Sequence, residues 1–166
     1  MNQLGFTQET EKFTGPYQSY ARAWELYEKS QFTAARIEFE NFLTQPLDQN
    51  DPYVLKASYY QGMAALALYN DDAIFLLEQF NRNYPENLYK NQINADIGHY
   101  FFQREDYESA VPYYEKVNGG ELDSNNRETF FFKKGYSYFQ QGLDTKALAA
   151  FKEVKDSKGQ YGNISL

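Results

Sequence analysis

Four times along the chain, a small residue closing one helical pattern is followed eleven or twelve positions later by an alanine that opens another. The pairs are Ala23/Ala35, Gly62/Ala73, Gly98/Ala110 and Gly135/Ala147, and the alanines recur after 38, 37 and 37 residues. Four residues past each alanine stands a large side chain (Phe39, Leu77, Tyr114, Phe151), and three further on another (Phe42, Phe80, Val117, Val154). A fixed period in this range marks a solenoid, whose units are single supersecondary elements that cannot bury their apolar faces alone. Glycine and alanine at the paired positions mark the crossing of an antiparallel helix pair. Only there is close backbone approach worth glycine's helix cost of roughly 1 kcal/mol. The bulky residues at +4 and +7 from each alanine share one stripe of the second helix and cover a neighbour.

These residues resemble the tetratricopeptide repeat. The third unit matches best, with Asn94, Ile97, Gly98 and Phe101 on the first helix, Tyr107 at the turn, then Ala110, Tyr114 and Val117. The fourth follows with Phe131, Gly135, Tyr138, Ala147, Phe151 and Val154. The first, Ala23, Leu26, Phe32, Ala35, Phe39 and Phe42, has alanine in place of the helix-A glycine, and in the second the turn Asn70-Asp71-Asp72 is one residue short. The period exceeds the usual ~34 residues, and the excess lies between units. The linker Phe80 to Asn87, with its Tyr84-Pro85, is similar to that of extracytoplasmic bacterial tetratricopeptide proteins, and the abundance of Tyr, Asn and Gln is similar to Bacteroidetes-type multi-repeat members. The resemblance implies an all-α, right-handed superhelical solenoid of about four helix-turn-helix repeats, at about 16–50, 51–86, 87–123 and 124–157. A tail, 1–15, precedes them, and 158–166, with Tyr161, Ile164 and Leu166, reads as the start of a further, truncated repeat.

Composition sets outer bounds. With 23 acids against 16 bases the net charge is −7, which disfavours binding to a phosphate backbone, so nucleic acid is not an expected partner. No run of apolar residues is long enough to span a membrane, and no leader pattern precedes the fold. Absence of cysteine excludes disulfides and thiol chemistry but fits either side of a membrane. The family resemblance favours the periplasm or cell envelope, with the cytoplasm as the alternative.

Breakers and caps place the helices. Pro16 suits an early helix position, Asp51-Pro52 opens a helix over about 52–69, and Asp71 or Asp72, Asp106 and Asp144 are expected as N-caps. Gly119-Gly120 is expected to close the sixth helix, Pro112 falls within its first turns, and Asp123 or Ser124 opens the seventh, to about Gln141.

Function in the family lives on the concave face of the first helices. Transferring its groove register (six and three before the small residue, one and four after it) gives Tyr17, Tyr20 and Trp24, then Lys56, Tyr59 and Met63, then Gln92, Ala95 and His99, then Thr129, Phe132 and Tyr136. The +4 residues Tyr27, Leu66, Phe102 and Phe139 are expected to turn into the core. Tyrosine and tryptophan offer large contact area at low entropy cost and are enriched in binding hot spots. Phe6 and Phe13 of the tail are candidates to fold back onto the groove. The two-carboxylate clamp of chaperone-binding members is absent, because Tyr20, Trp24, Tyr60, Gln92 and Asp96 stand at its positions. An apolar or aromatic-anchored peptide or helix is the expected partner.

Catalysis finds little footing. His99 is the sole histidine and has no cysteine partner, so it builds neither a nucleophilic dyad nor a histidine-pair metal site. No glycine-rich phosphate loop occurs, and Glu121 with Asp123 is a weak cation pair. The expectation is a non-enzymatic protein with no cofactor and no bound metal. It is either a binding module or an architectural segment of a longer array that acts through self-association or end-to-end packing.

Overall fold

The computed structural model describes Gly15 and residues 17–155, and the expectations on Phe6, Phe13, Pro16 and 158–166 lie outside the described residues. Among the described residues the chain is all-helical with no strand. In order, α1 is Tyr17–Glu28, α2 Phe32–Leu43, α3 Pro52–Ala67, α4 Ala73–Asn83, α5 Lys90–Gln103, α6 Tyr107–Glu115, α7 Ser124–Gln140 and α8 Asp144–Lys152. A short 3-10 turn, Gly119–Glu121, precedes α7. The chain divides between Pro85 and Glu86 into two compact units, each with two helical hairpins. In the first unit α2 packs on α1 and α3, and α1 also touches α3; in the second, α6 packs on α5 and α7, and α5 also touches α7.

The hairpin crossings form where the small residues predicted them. A Cβ added at Gly62 would lie 2.6 Å from Leu77 Cδ2, one at Gly98 2.5 Å from Tyr114 Cε1, and one at Gly135 2.8 Å from the Phe151 ring. Each glycine is thus the seat of the large residue four past the paired alanine. Ala23, Ala35, Ala73 and Ala110 are completely buried, as are Phe39, Leu77 and Tyr114. Phe42, Phe80, Val117 and Val154 are buried behind them.

All four hairpins turn in the same way. Seven residues past each small residue the backbone is left-handed, at Ser30 (φ 57°), Tyr69 (56°), Glu105 (59°) and Gly142 (70°). The next amide then donates back to the carbonyl five residues earlier: Gln31 to Leu26, Asn70 to Ala65, Asp106 to Phe101 and Leu143 to Tyr138, at 2.9–3.0 Å. This is the Schellman closure, which satisfies carbonyls that the helix end leaves without donors.

Caps differ in part from expectation. Asp51 caps α3, accepting from Tyr53 N at 2.7 Å with Pro52 at the first position, and its second oxygen accepts the Tyr17 hydroxyl. Asp106 caps α6 through Ser109 N at 3.0 Å, and Asp123 caps α7 through Asn126 N at 3.0 Å. Asp72 precedes α4 but makes no cap bond, because its carboxylate is taken by Arg36, which also donates to Asn70 at 2.6 Å. In that shortened turn α4 begins only at Ala73, whereas its counterparts begin three residues before their alanines. Asp144 is the first residue of α8 rather than its cap; Leu143 occupies the cap position. Gly119-Gly120 does not end α6, which stops at Glu115; Gly119 instead packs against Phe131, 2.5 Å from where its Cβ would stand.

Candidate functional site

Burial along the first helix of each hairpin sorts the expected groove residues. Positions −3, 0 and +4 from the small residue fall three and four apart and share one stripe, as do −6, −2 and +1. The first stripe is the packed one in α1, α3 and α5. Tyr20 is 6% exposed and Tyr59 7%, correcting the expectation that they line an open face. Tyr20 stacks edge-on to Phe39 and Tyr53, and Tyr59 packs on Phe80. Ala95 is likewise buried, and Leu66 is in the core as expected. In α7 the stripe is more open: Phe132 is half-buried and Phe139, expected inside, is 57% exposed.

The second stripe faces outward, and here the expected residues keep solvent contact. In the first unit Tyr17, Trp24 and Met63 are half-buried and Lys56 is exposed. Trp24 stacks beside Tyr27, 6.3 Å between centroids, and meets Tyr60 edge-on at 4.8 Å; Tyr27 meets Tyr60 at 4.9 Å. Tyr60, at −2, therefore reaches across from α3 to the +1 and +4 residues of α1. Hydrogen bonding to Asp51 holds the Tyr17 hydroxyl in its neutral form, raising its pKa.

The equivalent place in the second unit is polar. Gln92, Asp96 and His99 follow one another on α5, all half-buried, with Gln92 Nε2 donating to Asp96 Oδ1 at 3.0 Å. Lys133, at −2 of α7, reaches back over the Phe102 ring at 5.6 Å, as Tyr60 reaches Tyr27. Burial pushes the Asp96 carboxyl up to about 6 against the opposing pull of Gln92 and Lys133, and burial also lowers the Lys133 ammonium. His99 Nδ1 lies 2.8 Å from the Tyr114 hydroxyl, and burial, with Lys133 nearby, lowers the imidazole to about 3, so it is neutral. Tyr114 is fully buried, and its hydroxyl proton finds an acceptor only if it donates to Nδ1, which leaves the imidazole proton on Nε2. Around this group Tyr136 packs on Phe102 and Tyr107, both at 5.7 Å, and on Phe132 at 6.2 Å. Thr129 and Tyr136 are half-buried on the outward stripe of α7.

Sequence reasoning left the −2 residues out of the groove, weighing Tyr60 and Asp96 only against the two-carboxylate clamp and Lys133 not at all. Their signal was present, since −2 and +1 are three apart and must share a helix face. Comparison with protein-family profiles, characterised proteins and solved structures finds no match to this chain.

Proposed function

We propose that this chain is a tetratricopeptide-type interaction module whose hairpins stack into a right-handed solenoid, and that the outward face of its first helices holds a peptide or helix of a partner protein. A bacterial cell-envelope assembly is the setting the sequence texture favours. The repeat reading is supported by four identical turns and by glycine crossings each filled by the same following residue. The observation that carries the binding reading is that Trp24 and Tyr60 of the outward stripe form, with Tyr27 at +4, a connected aromatic set that keeps solvent contact. Rigid rings held in place by one another bind with little further entropy loss.

Site-specific photocrosslinking tests this. A benzophenone amino acid at Trp24 or Tyr136 is expected to trap a discrete partner, while the same group at Ile37 or Phe75, exposed on second helices, traps none. Adducts from Ile37 and Phe75 alone would refute the groove. A second reading, an architectural segment that self-associates, is favoured by one observation: Phe139, Leu143 and Leu148, 57%, 39% and 44% exposed, all lie on the α7–α8 hairpin. Concentration-dependent mass in light scattering, abolished by Leu148→Glu, is its signature.

A further inference from the structure

Asp96 and Lys133 stand in the same register, two before Gly98 and two before Gly135, on helices that touch each other. Both are half-buried, and each feels the other's charge, yet no ion pair joins them. Desolvating opposite charges without bringing them together forfeits the Coulomb gain that normally offsets the burial cost. Such an arrangement makes sense when something else sits between the poles. The Asp96 carboxylate accepts one bond, from Gln92, which leaves acceptor capacity; the Lys133 ammonium rests on the Phe102 ring, which leaves its donors uncommitted. One turn along α5, neutral His99 carries an Nε2 proton as a further donor.

We infer that Asp96 and Lys133 are the two poles of a main-chain clamp, in which Asp96 accepts a backbone N–H and Lys133, with His99 beside it, donates to a backbone C=O of a bound peptide. The inference rests on the groove reading above and names the chemistry of its second-unit part. A peptide group is neutral, compact, and carries one donor and one acceptor, which is what the poles require. An anionic ligand would face Asp96, and a cationic one would face Lys133. Phe102, Phe132 and Tyr136 supply the apolar flank for a side chain next to the clamped bond. Burial, then Gln92 on α5 and Lys133 on α7, set the charge of Asp96, which in turn acts on Tyr114 of α6; His99 on α5 is neutral. With the carboxyl near 6, clamping strengthens as pH rises through that value and Asp96 ionises.

Because His99 is the only histidine, its imidazole resonances report this site alone in the full 166-residue chain. Titration with N-acetyl-phenylalanine methylamide at millimolar concentrations is expected to shift them saturably. The analogue with both amides replaced by esters, the methyl ester of O-acetyl-3-phenyllactic acid, keeps both carbonyls but has no N–H and is expected to bind at least severalfold more weakly, because a site built for a hydrogen bond rejects a ligand that cannot make it. Lys133→Met is expected to weaken the amide about tenfold. Asp96→Asn, which keeps an acceptor oxygen and the side-chain volume, should retain weaker binding that no longer changes between pH 5 and pH 7. Equal affinity for amide and ester, preference for free zwitterionic phenylalanine, or no saturable shift would each overturn the clamp. Crosslinking from Trp24 that persists alongside such a failure would leave the groove reading standing, whereas loss of both would overturn it too.

Discussion

Gly98→Ala puts the hairpin crossing to a test in which the local and tertiary terms have opposite signs. In an open helix the change should stabilise by about 1 kcal/mol, since alanine is the better helix former. At Gly98 the new methyl would stand 2.5 Å from Tyr114 Cε1 and 2.6 Å from Cδ1. That ring cannot retreat: it is fully buried, packs edge-on against Phe130 at 5.7 Å, and is tied by its hydroxyl to His99. Overpacking of this kind costs about 1–3 kcal/mol. The net expectation is a loss of about 1 kcal/mol or more. Gly62→Ala is the internal control, because the nearest atom there is Leu77 Cδ2, the end of a flexible side chain, so its loss should be smaller. Urea unfolding followed by far-ultraviolet circular dichroism measures both. In the Gly98→Ala background, Tyr114→Leu should cost less than in the parent, a coupling of about 0.5 kcal/mol or more. A stabilised Gly98→Ala, or additive effects of the two substitutions, would refute the close-crossing argument.

Other outcomes follow from the turns, caps and buried charges. Glu105→Gly is expected to stabilise by about 0.5–1 kcal/mol, because glycine takes the left-handed turn that a side chain strains, and Gly142→Ala to destabilise comparably; urea midpoints check both. Asp51→Ala should cost about 1 kcal/mol or more through the lost α3 cap, with Tyr17→Phe recovering part of that cost when measured in the mutant background. Asp96 and His99 oppose one another with pH. The raised carboxyl, about 6 against 3.8, adds stability that is present at low pH and lost as pH rises through about 6. The lowered imidazole, about 3 against 6.5, adds stability present above 6.5 and lost as pH falls. Each slope approaches about 1.4 kcal/mol per pH unit, so relative to the parent His99→Gln should gain stability from pH 6 to pH 4 and Asp96→Asn should lose it. Parallel curves for all three proteins would contradict the assignment.

The parts of the fold legible in the sequence were those set by size and spacing. Gly62, Gly98 and Gly135 announced the crossings because no larger residue fits them, and the buried residues at +4 followed by helix geometry. The turns were less legible. Only Gly142 has the residue type that a left-handed turn favours, while Ser30, Tyr69 and Glu105 are carried there by the packing of the helices they join. Asp72 looked like a cap, but an arginine 36 residues away claims its carboxylate. Trp24, Lys56 and His99 keep solvent contact, whereas Tyr20 and Tyr59 are buried, because aromatic character says nothing about which stripe a ring occupies. Their spacing of three from Ala23 and Gly62 does. The pair was not legible because Asp96 was weighed only against the two-carboxylate clamp and Lys133 not at all; only the contact of α5 with α7 makes them neighbours.

The binding claim turns on Trp24, the single tryptophan. With the crosslinked partner segment as ligand, affinity and unfolding free energy are to be measured together for Trp24→Ala. The account predicts an affinity loss of about 2 kcal/mol or more, roughly thirtyfold, with a smaller change in stability, since the ring is half-buried and its aromatic neighbours Tyr27 and Tyr60 are half-buried too. A destabilised protein that still binds its partner with parental affinity would contradict it.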